Sequence, residues 1–477
     1  MKIAFLHYHL KTGGVTTVIR QQIQALEGAC DTLALTGTLP GKDVSADMVH
    51  IPGLAYDSEG GNRSDPLETA DAVWEAIRRK WPSGCDVLHV HNPTLAKNRN
   101  FLTILKALQK KGATLFLQIH DFSEDGRPGA YFPEPYPENC HYGVINSRDY
   151  RILSEAGLHS RGLHLLPNTV PSLPADRGPA VSGNQHLLYS VRAIRRKNIG
   201  EAILLAQLLE DQPPLCITLP PNSPGDYPAY ESWKAFTARR KLPVVFDAGL
   251  KTPFADLVHS SRFMITTSIT EGFGFSFLEP WTAGKYLWGR KLPDVCMDFE
   301  ANGIHLDHLY ARIDVPLDWM DETAFQREWT SSFTAACRHF QCIPGPRDAL
   351  EGYTHISQHR QIDLGLLSEP FQEQVLSKIL KSDGARSKLL HINPQLYLPK
   401  QASAYQTRIS RNRAAVQRHY NPEVYRENLL AVYNRVSKTP VSQAIQKAVL
   451  AHAFLKPDAF SLLKWHRYPG ETTIEKT

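Results

Sequence analysis

The stretch HLLYSVRAIRRKNIGEAILLA, His186–Ala206, reads as an apolar strand, a basic turn and an apolar helix. It restarts an alternation that has already run once from the N-terminus. Before it come "KIAFLHY" as a strand, Gly13-Gly14 as a turn and "VTTVIRQQIQALE" as a helix. "DTLALTG", "DVLHVHNP", "ATLFLQIHD", "YGVINS" and "GLHLLPN" follow as further strands, with helical periodicity between most of them. Short apolar strands alternating with amphipathic helices mean βαβ units around a parallel sheet. From Pro167 to Gln185 the pattern stops in a run with four prolines and two glycines, the composition of a linker. After His186 it resumes through "PLCITLP", "PVVFDAG" and "FMITTSI". Two successive Rossmann-like halves are therefore expected, an α/β fold.

At 477 residues the chain exceeds one comfortable core, which fits two domains. Hydrophobic content of 42% and charged content of 21% are globular values. A net charge of +5 over this length is too mild to imply nucleic acid, yet suits an anionic small molecule. The seven cysteines form no CxxC pair, so neither a zinc site nor a disulfide framework is written here. No apolar run approaches the ~20 residues that span a bilayer, and the N-terminus reads as a strand and not a signal peptide. A cytoplasmic setting is the expectation. "SQAIQKAVLAHAFL" near the C-terminus is an amphipathic helix that could touch a membrane surface, though packing on the protein is the favoured reading. Nothing in the sequence specifies an oligomer.

In an open α/β sheet, ligands sit beyond the carboxyl ends of the strands. That rule selects His7, His9, Lys11, Gly13 and Gly14 after the first strand. It also selects His91 and Asn92, His120 and Asp121, and Asn146 and Ser147. In the second half it selects Arg192, Arg195, Arg196 and Lys197, then Glu271 to Gly274. If the two faces were opposed, they would form a cleft rich in phosphate-binding groups. The HxH pairs, His7/His9 and His89/His91, put two rings on one strand face but supply no third metal ligand by spacing. Gly13-Gly14 lets a bare backbone approach an anion at a helix start. Neither it nor "GFGFSF" completes GxGxxG, and no GxxxxGK[ST] loop occurs.

"RAIRRKN" places four cations in six residues at a helix start, where they oppose the macrodipole unless an anion offsets them. In "TTSITEGFGFSFLEPWTAG", Thr266–Gly284, Glu271 and Glu279 stand eight positions apart. If a helix begins near Gly274, their separation is at most about 12 Å, comparable to the span from sugar to ribose in a nucleotide sugar. Gly272 and Gly274 would leave backbone N–H groups open. Taken alone, these residues fit a sugar-nucleotide site and an ordinary helix start equally well.

Taken together, the segments "TGGVTTV", "VLHVHNP", "QIHD", "YGVINSRDYRILSEAG", "LLPNTV", "YSVRAIRRKNIGEAILLA", "ITEGFGFSFLEPWTAGKY" and "RENLLAVYNRV" resemble the retaining GT-B glycosyltransferases of family 4. The resemblance covers Met1 to about Leu292 and about Arg408 to Val436. It implies two Rossmann-like domains with parallel sheets facing an interdomain cleft. Residues 1–170 would form the acceptor-side domain, 171–185 the linker and 186–407 the nucleotide-sugar domain, with an unrecognised insertion at about 294–405. Residues 408–477 would be helices packing back towards the first domain. The implied reaction is metal-independent, retaining transfer of a hexose from a UDP-, GDP- or ADP-linked sugar, a co-substrate and not a cofactor, to an acceptor hydroxyl.

Arg192 and Lys197 would hold the diphosphate and stabilise charge on the departing nucleotide. Gly14, with Gly13, would approach the same phosphates. Glu271 would contact the donor sugar, with the backbone of Gly272, Phe273 and Gly274, and Glu279 would bind the ribose. His120 would contact the sugar near the reacting carbon. No metal ligand is implied. Lys11, Lys97, Arg99 and Arg148 hint at a phosphorylated or carboxylated acceptor. The alternatives are a non-hydrolysing sugar-nucleotide epimerase or a phosphorylase on the same architecture, or a non-catalytic sugar-nucleotide-binding protein. The sequence departs from the family pattern at Val191, where glycine is usual, and at Thr169 after Asn168. "KYLWGRKLPD" also stands where an apolar strand is usual.

Overall fold

The computed structural model describes residues 1–11, 13–38, 47–173, 186–342, 347–397 and 402–465. Most of the linker expected at 171–185 lies outside them. Contacts divide the chain into two compact units, Met1–Thr169 with Tyr420–Phe454, and Val170–His419 with Leu455 onward.

The first unit is built on a seven-stranded sheet. Its strands are β1 (Lys2–His7), β2 (Asp31–Thr36), β3 (Met48–His50), β4 (Val87–His91), β5 (Leu115–Ile119), β6 (His141–Val144) and β7 (Leu163–Leu165). They lie in the order β3-β2-β1-β4-β5-β6-β7, every pairing parallel. The crossovers run through α1 (Gly14–Ala25), α2 (Pro66–Lys80), α3 (Phe101–Lys110) and α4 (Ser147–Glu155). Local chemistry sets the helix starts. The Asp65 carboxylate accepts from the Leu67 and Glu68 amides ahead of Pro66, and Asn146 accepts from Asp149. β4 and β5 are buried at every position because helices cover both faces.

The second unit carries β8 (His186–Arg192), β9 (Leu215–Leu219), β10 (Val244–Val245), β11 (Ser261–Thr266) and β12 (Tyr286–Gly289). These form a parallel sheet in the order β10-β9-β8-β11-β12. The helices α5 (Ile199–Leu208), α6 (Tyr227–Arg239), α7 (Ala248–Lys251), α8 (Phe254–Ser260) and α9 (Glu279–Thr282) intervene. The segment taken to replace the usual strand after "TAG" is a strand after all. β12 is fully buried, pairing Thr266 with Gly289. At Gly289, φ is +136° and a Cβ would lie 1.9 Å from the Thr266 carbonyl oxygen, so only glycine closes this edge.

Beyond β12, the described residues of region 294–405 are mostly helical, with an antiparallel pair, β13 (Asp314–Pro316) against β14 (Gln361–Asp363). Its helices are α10 (Pro293–Ala301), α11 (Glu322–His339), α12 (Asp348–Ile356), α13 (Glu369–Lys381) and α14 (Asp383–Ile392). The C-terminal helices are α15 (Ala402–His419), α16 (Pro422–Lys438) and α17 (Lys447–Phe454). The pattern predicts that the helices of 408–477 pack back towards the first domain; the described ones divide between the two units. α15 packs on α9 and β12 in the second unit, whereas α16 packs on α1 in the first. The division falls at Tyr420 because Asn421 caps a new helix through the Val424 amide and Pro422 cannot continue the old one. Tyr425, Leu429 and Tyr433 of α16 join Ile3, Phe5, Ile19 and Ile23 in one core of the first unit. α17 also lies against the first unit, burying Leu450 and Ala451, with the Lys447 ammonium over the Tyr131 and Tyr136 rings. No helix among the described residues is long and apolar enough to cross a membrane.

Candidate functional site

The strand order of the second unit reverses between β8 and β11, the point beyond which open α/β sheets bind their ligands. Arg192 ends β8, and its guanidinium donates to the Pro220 carbonyl at 3.3 Å. A single 3₁₀ turn, Arg195–Lys197, then leads into α5 through Asn198 in the left-handed region (φ 54°). From the end of β11 the chain runs to Glu271, which forms an ion pair with Lys197. Arg196 donates to the Thr270 carbonyl at 3.4 Å. Burial pushes the Glu271 carboxyl up, but the Lys197 and Arg196 charges outweigh it and hold the group below its ordinary value. Glu279 has no such compensation. Burial and the neighbouring Glu271 charge raise it to about 7, against a smaller pull from Lys197.

The backbone holding Lys197 is tied down on three sides. Tyr189 Oη donates to the Lys197 carbonyl at 2.6 Å, and Thr267 Oγ1 stands 3.0 Å from both the Lys197 and Asn198 carbonyls. The Ile269 amide donates to the Arg196 carbonyl. From α13, Gln372 Nε2 donates to Asn198 Oδ1 at 2.8 Å. These groups were not identified from the sequence. Tyr189, Thr267 and Gln372 lie far apart in the chain and carry no motif of their own.

The four cations of "RAIRRKN" were expected to face an external anion together. Arg195 does not: its guanidinium makes two bonds to Glu369 of α13, at 2.6 and 2.7 Å, with the pair 9% and 2% exposed. The protein's own carboxylates thus answer Arg195 and Lys197, which accounts for part of the charge mismatch at this turn. The helix expected from Gly274 is also absent. Phe275–Phe277 makes one 3₁₀ turn and α9 begins at Glu279, since Pro280 lacks the N–H to continue a helix and suits a first turn. Glu279 therefore heads its own short helix. Gly274 (φ +89°) has no room for a Cβ, which would meet Phe277 at 2.9 Å and Val295 at 3.1 Å. Phe273 is buried edge-on to Phe275 and Phe299, so its side chain belongs to the interior.

Gly13, Gly14 and His120 belong to the first unit. Gly13 stands at the head of α1 in extended backbone. A Cβ at Gly14 would meet nothing within 4 Å, leaving the backbone there uncovered. His120 follows β5 and is 6% exposed. Its amide donates to Asn92 Oδ1 at 2.8 Å, as does the Asp121 amide at 3.1 Å. Its Nε2 lies 2.9 Å from His91 Nδ1. Burial lowers the His120 ring to about 4, against a smaller opposing effect of Asp121. Three of the four HxH histidines are interior groups, and His9 is half-buried. His7, His89 and His91 are buried, and His89 sits between Gln118 Oε1 (2.9 Å) and the Tyr433 hydroxyl (2.8 Å).

No family model matches the chain. It is 29% identical over 335 residues to the mannosylglucosyl-3-phosphoglycerate synthase of Petrotoga mobilis. That match covers 62% of this chain and 65% of the relative, just under two thirds of its length. Among solved structures, it is similar to Anabaena Alr3699/HepE, determined in complex with UDP-glucose (TM-score 0.54, 12% identity). That likeness covers 91% of this chain and 99% of the other. It is likewise similar to sucrose-phosphate synthase from Thermosynechococcus elongatus (TM-score 0.52, 14% identity, 91% and 98% covered). A glycosyltransferase from Rickettsia africae gives 0.53 at 12% identity, with 92% and 99% covered. Two parallel Rossmann-like sheets and these likenesses bear out the resemblance read from the sequence: the chain has the fold of the GT-B glycosyltransferases.

Proposed function

We propose that this protein is a retaining, metal-independent glycosyltransferase that moves a hexose from a nucleotide diphosphate sugar to an anionic acceptor. The observation that carries the reading is the cluster at the β8–β11 switch point. There Lys197 and Arg196 gather round Glu271, with Arg192 at the strand end and Glu279 electrostatically coupled to the group. Arg192 and Lys197 are suited to neutralise charge growing on the departing diphosphate, the part a divalent cation plays in other transferases. Lys197 must exchange Glu271 for phosphate as its partner, or share itself between them. Glu271, held ionised, can accept from sugar hydroxyls. Glu279, at the head of α9, would accept from the ribose diol. Retention rests on the family resemblance, in which a donor phosphate oxygen takes the acceptor's proton.

The acceptor reading draws on the Petrotoga relative, whose name specifies a phosphoglycerate product, and on Lys97. Of the four cations noted in the first unit, Lys11 pairs with Glu59, Arg99 with Asp57 and Arg148 with Asp149. Lys97 makes no ion pair among the described residues; its ammonium lies 6.0 Å from the Tyr56 ring centroid. Burial, with Arg127 nearby, lowers its pKa, a setting in which a phosphate or carboxylate would be welcome.

A panel of UDP-, GDP- and ADP-linked hexoses tests the donor side. One donor is expected to raise the melting temperature and to be slowly hydrolysed, with free nucleotide diphosphate released in EDTA. An altered sugar nucleotide with no nucleotide release would point to an epimerase, and a strict need for inorganic phosphate to a phosphorylase. No binding by any donor would refute the proposal.

Glu279 adds a pH signature. Its carboxyl holds a proton to about 7 in the fold, against an ordinary value of 4.5. The native state thus binds a proton that the unfolded chain has lost, so this group's contribution to stability falls as pH rises from 4.5 to 7. Donor affinity should move oppositely, because only the carboxylate accepts from both ribose hydroxyls. Calorimetric donor binding is expected to tighten several-fold from pH 6 to 8. Glu279→Gln should flatten that profile; an unchanged profile would remove Glu279 from the ribose.

A further inference from the structure

We propose that His91 is a positioning residue that fixes the tautomer of His120, making His120 a hydrogen-bond donor through Nδ1 and not a base. The tautomer stands on the geometry and burial of the pair, and only its kinetic consequence rests on the transferase reading. His91 Nδ1 and His120 Nε2 face each other at 2.9 Å, their rings within 15° of parallel. His91 is fully buried and His120 6% exposed. Burial and neighbouring histidines hold His91 well below its ordinary value, and burial takes His120 to about 4 despite Asp121. Both rings are therefore neutral near pH 7, and only one of the facing nitrogens carries a hydrogen.

The other nitrogen of His91 decides which. His91 Nε2 is buried and has no hydrogen-bond partner among the described residues. A proton there would strand a buried N–H, at a cost of the order of one lost hydrogen bond. A proton on Nδ1 is satisfied by His120 and leaves only a bare lone pair in the interior, the milder defect. His91 Nδ1 accordingly donates to His120 Nε2. His120, accepting there, carries its own hydrogen on Nδ1, which bonds to nothing among the described residues. The backbone fixes the approach. Asn92, in the left-handed region (φ 52°), accepts from both the His120 and Asp121 amides. His7 Nδ1 donates to the His91 carbonyl at 3.3 Å. The groups that act electrostatically on the pair are Asp121, His7 and His89.

An N–H at Nδ1 has no lone pair for a proton, so His120 can donate to a substrate oxygen but cannot deprotonate an acceptor. That agrees with a reaction in which a donor phosphate oxygen is the base.

Two-bond ¹⁵N–¹H correlation spectra of the full chain, with labelled histidine, test the assignment; the His120 resonance is identified by its loss in His120→Gln. The expected pattern at pH 7 is protonated Nδ1 with bare Nε2. Protonated Nε2 in the wild type would overturn the proposal. His91→Asp, whose carboxylate can accept at that position but not donate, should shift His120 towards the Nε2–H form. It should also lower kcat about tenfold with little change in donor KM. His91→Asn, whose amide can replace Nδ1–H, should restore both. An unmoved tautomer in a folded His91→Asp chain would also overturn it. If the wild-type tautomer is as expected but His120→Gln transfers sugar normally, the tautomer stands and His120's role in transfer fails.

Discussion

Lys197→Ala is expected to lower kcat/KM for sugar transfer by about 10²–10³-fold or more, the loss typical of removing one preorganised group that meets developing charge. The physical basis is its double role. In the free protein the Lys197 ammonium compensates Glu271, whose side chain is only 11% exposed. In the complex it is proposed to meet the diphosphate. Without it, Arg196 remains as the nearby cation acting on Glu271, burial prevails, and the carboxyl moves up from its present lowered value. The variant should therefore lose rate and also acquire an alkaline-shifted pH profile, since a protonated Glu271 accepts poorly from sugar hydroxyls. Lys197→Arg keeps the charge but not the compact ammonium, and should fall between. Circular dichroism would separate this from unfolding. A folded Lys197→Ala enzyme with near-normal kcat/KM would remove Lys197 from the donor site.

The largest stability effect is expected at Arg290. Its guanidinium bonds Glu201 (2.9 and 2.5 Å) and Asp363 (two contacts of 2.7 Å), and donates to the Ala311 carbonyl at 3.0 Å. Arg290 is 4% exposed and Glu201 fully buried. Tyr310 and Asn198 also donate to Glu201. Arg290 thus fastens β12 to α5 and to β14. Arg290→Ala would strand two interior carboxylates, and a loss of about 3–5 kcal/mol is expected in urea unfolding. The sign of its pH dependence follows. Once Arg290 is gone, both carboxyls in the fold hold protons more tightly than in the unfolded chain, so the deficit should grow from pH 5 to pH 8. Adding Glu201→Gln should recover part of it. A variant as stable as the wild type would show that the network contributes little.

Much of the site was legible because its residues sit where a parallel sheet must present them. Arg192, Lys197 and Glu271 each follow the end of a predicted strand, and β8 and β11 prove to be neighbours. What could not be read was which charges are already answered. Arg195 and Lys197 are chemically alike and two positions apart. One is closed off by Glu369, 174 residues further along the chain, while the other meets Glu271 beyond the ends of β8 and β11. The same limit applied at "KYLWGRKLPD", where lysine and arginine hid a buried four-residue strand. Trp288 and Tyr286 fill the interior and Arg290 finds its carboxylates only through folding.

By itself, the sequence determined the two α/β halves, the strand ends where the candidate residues gather and the break at Asn421-Pro422. These follow from hydrophobic period, turn residues and caps, which act over a few neighbouring positions. Only the tertiary structure decided that α15 and α16 part company between the two units, that Glu279 heads its own short helix beside Glu271, and that the His120 ring faces His91. Those outcomes depend on burial and on partners far apart in the chain, and a charge or a ring proton is placed by the groups that surround it in space.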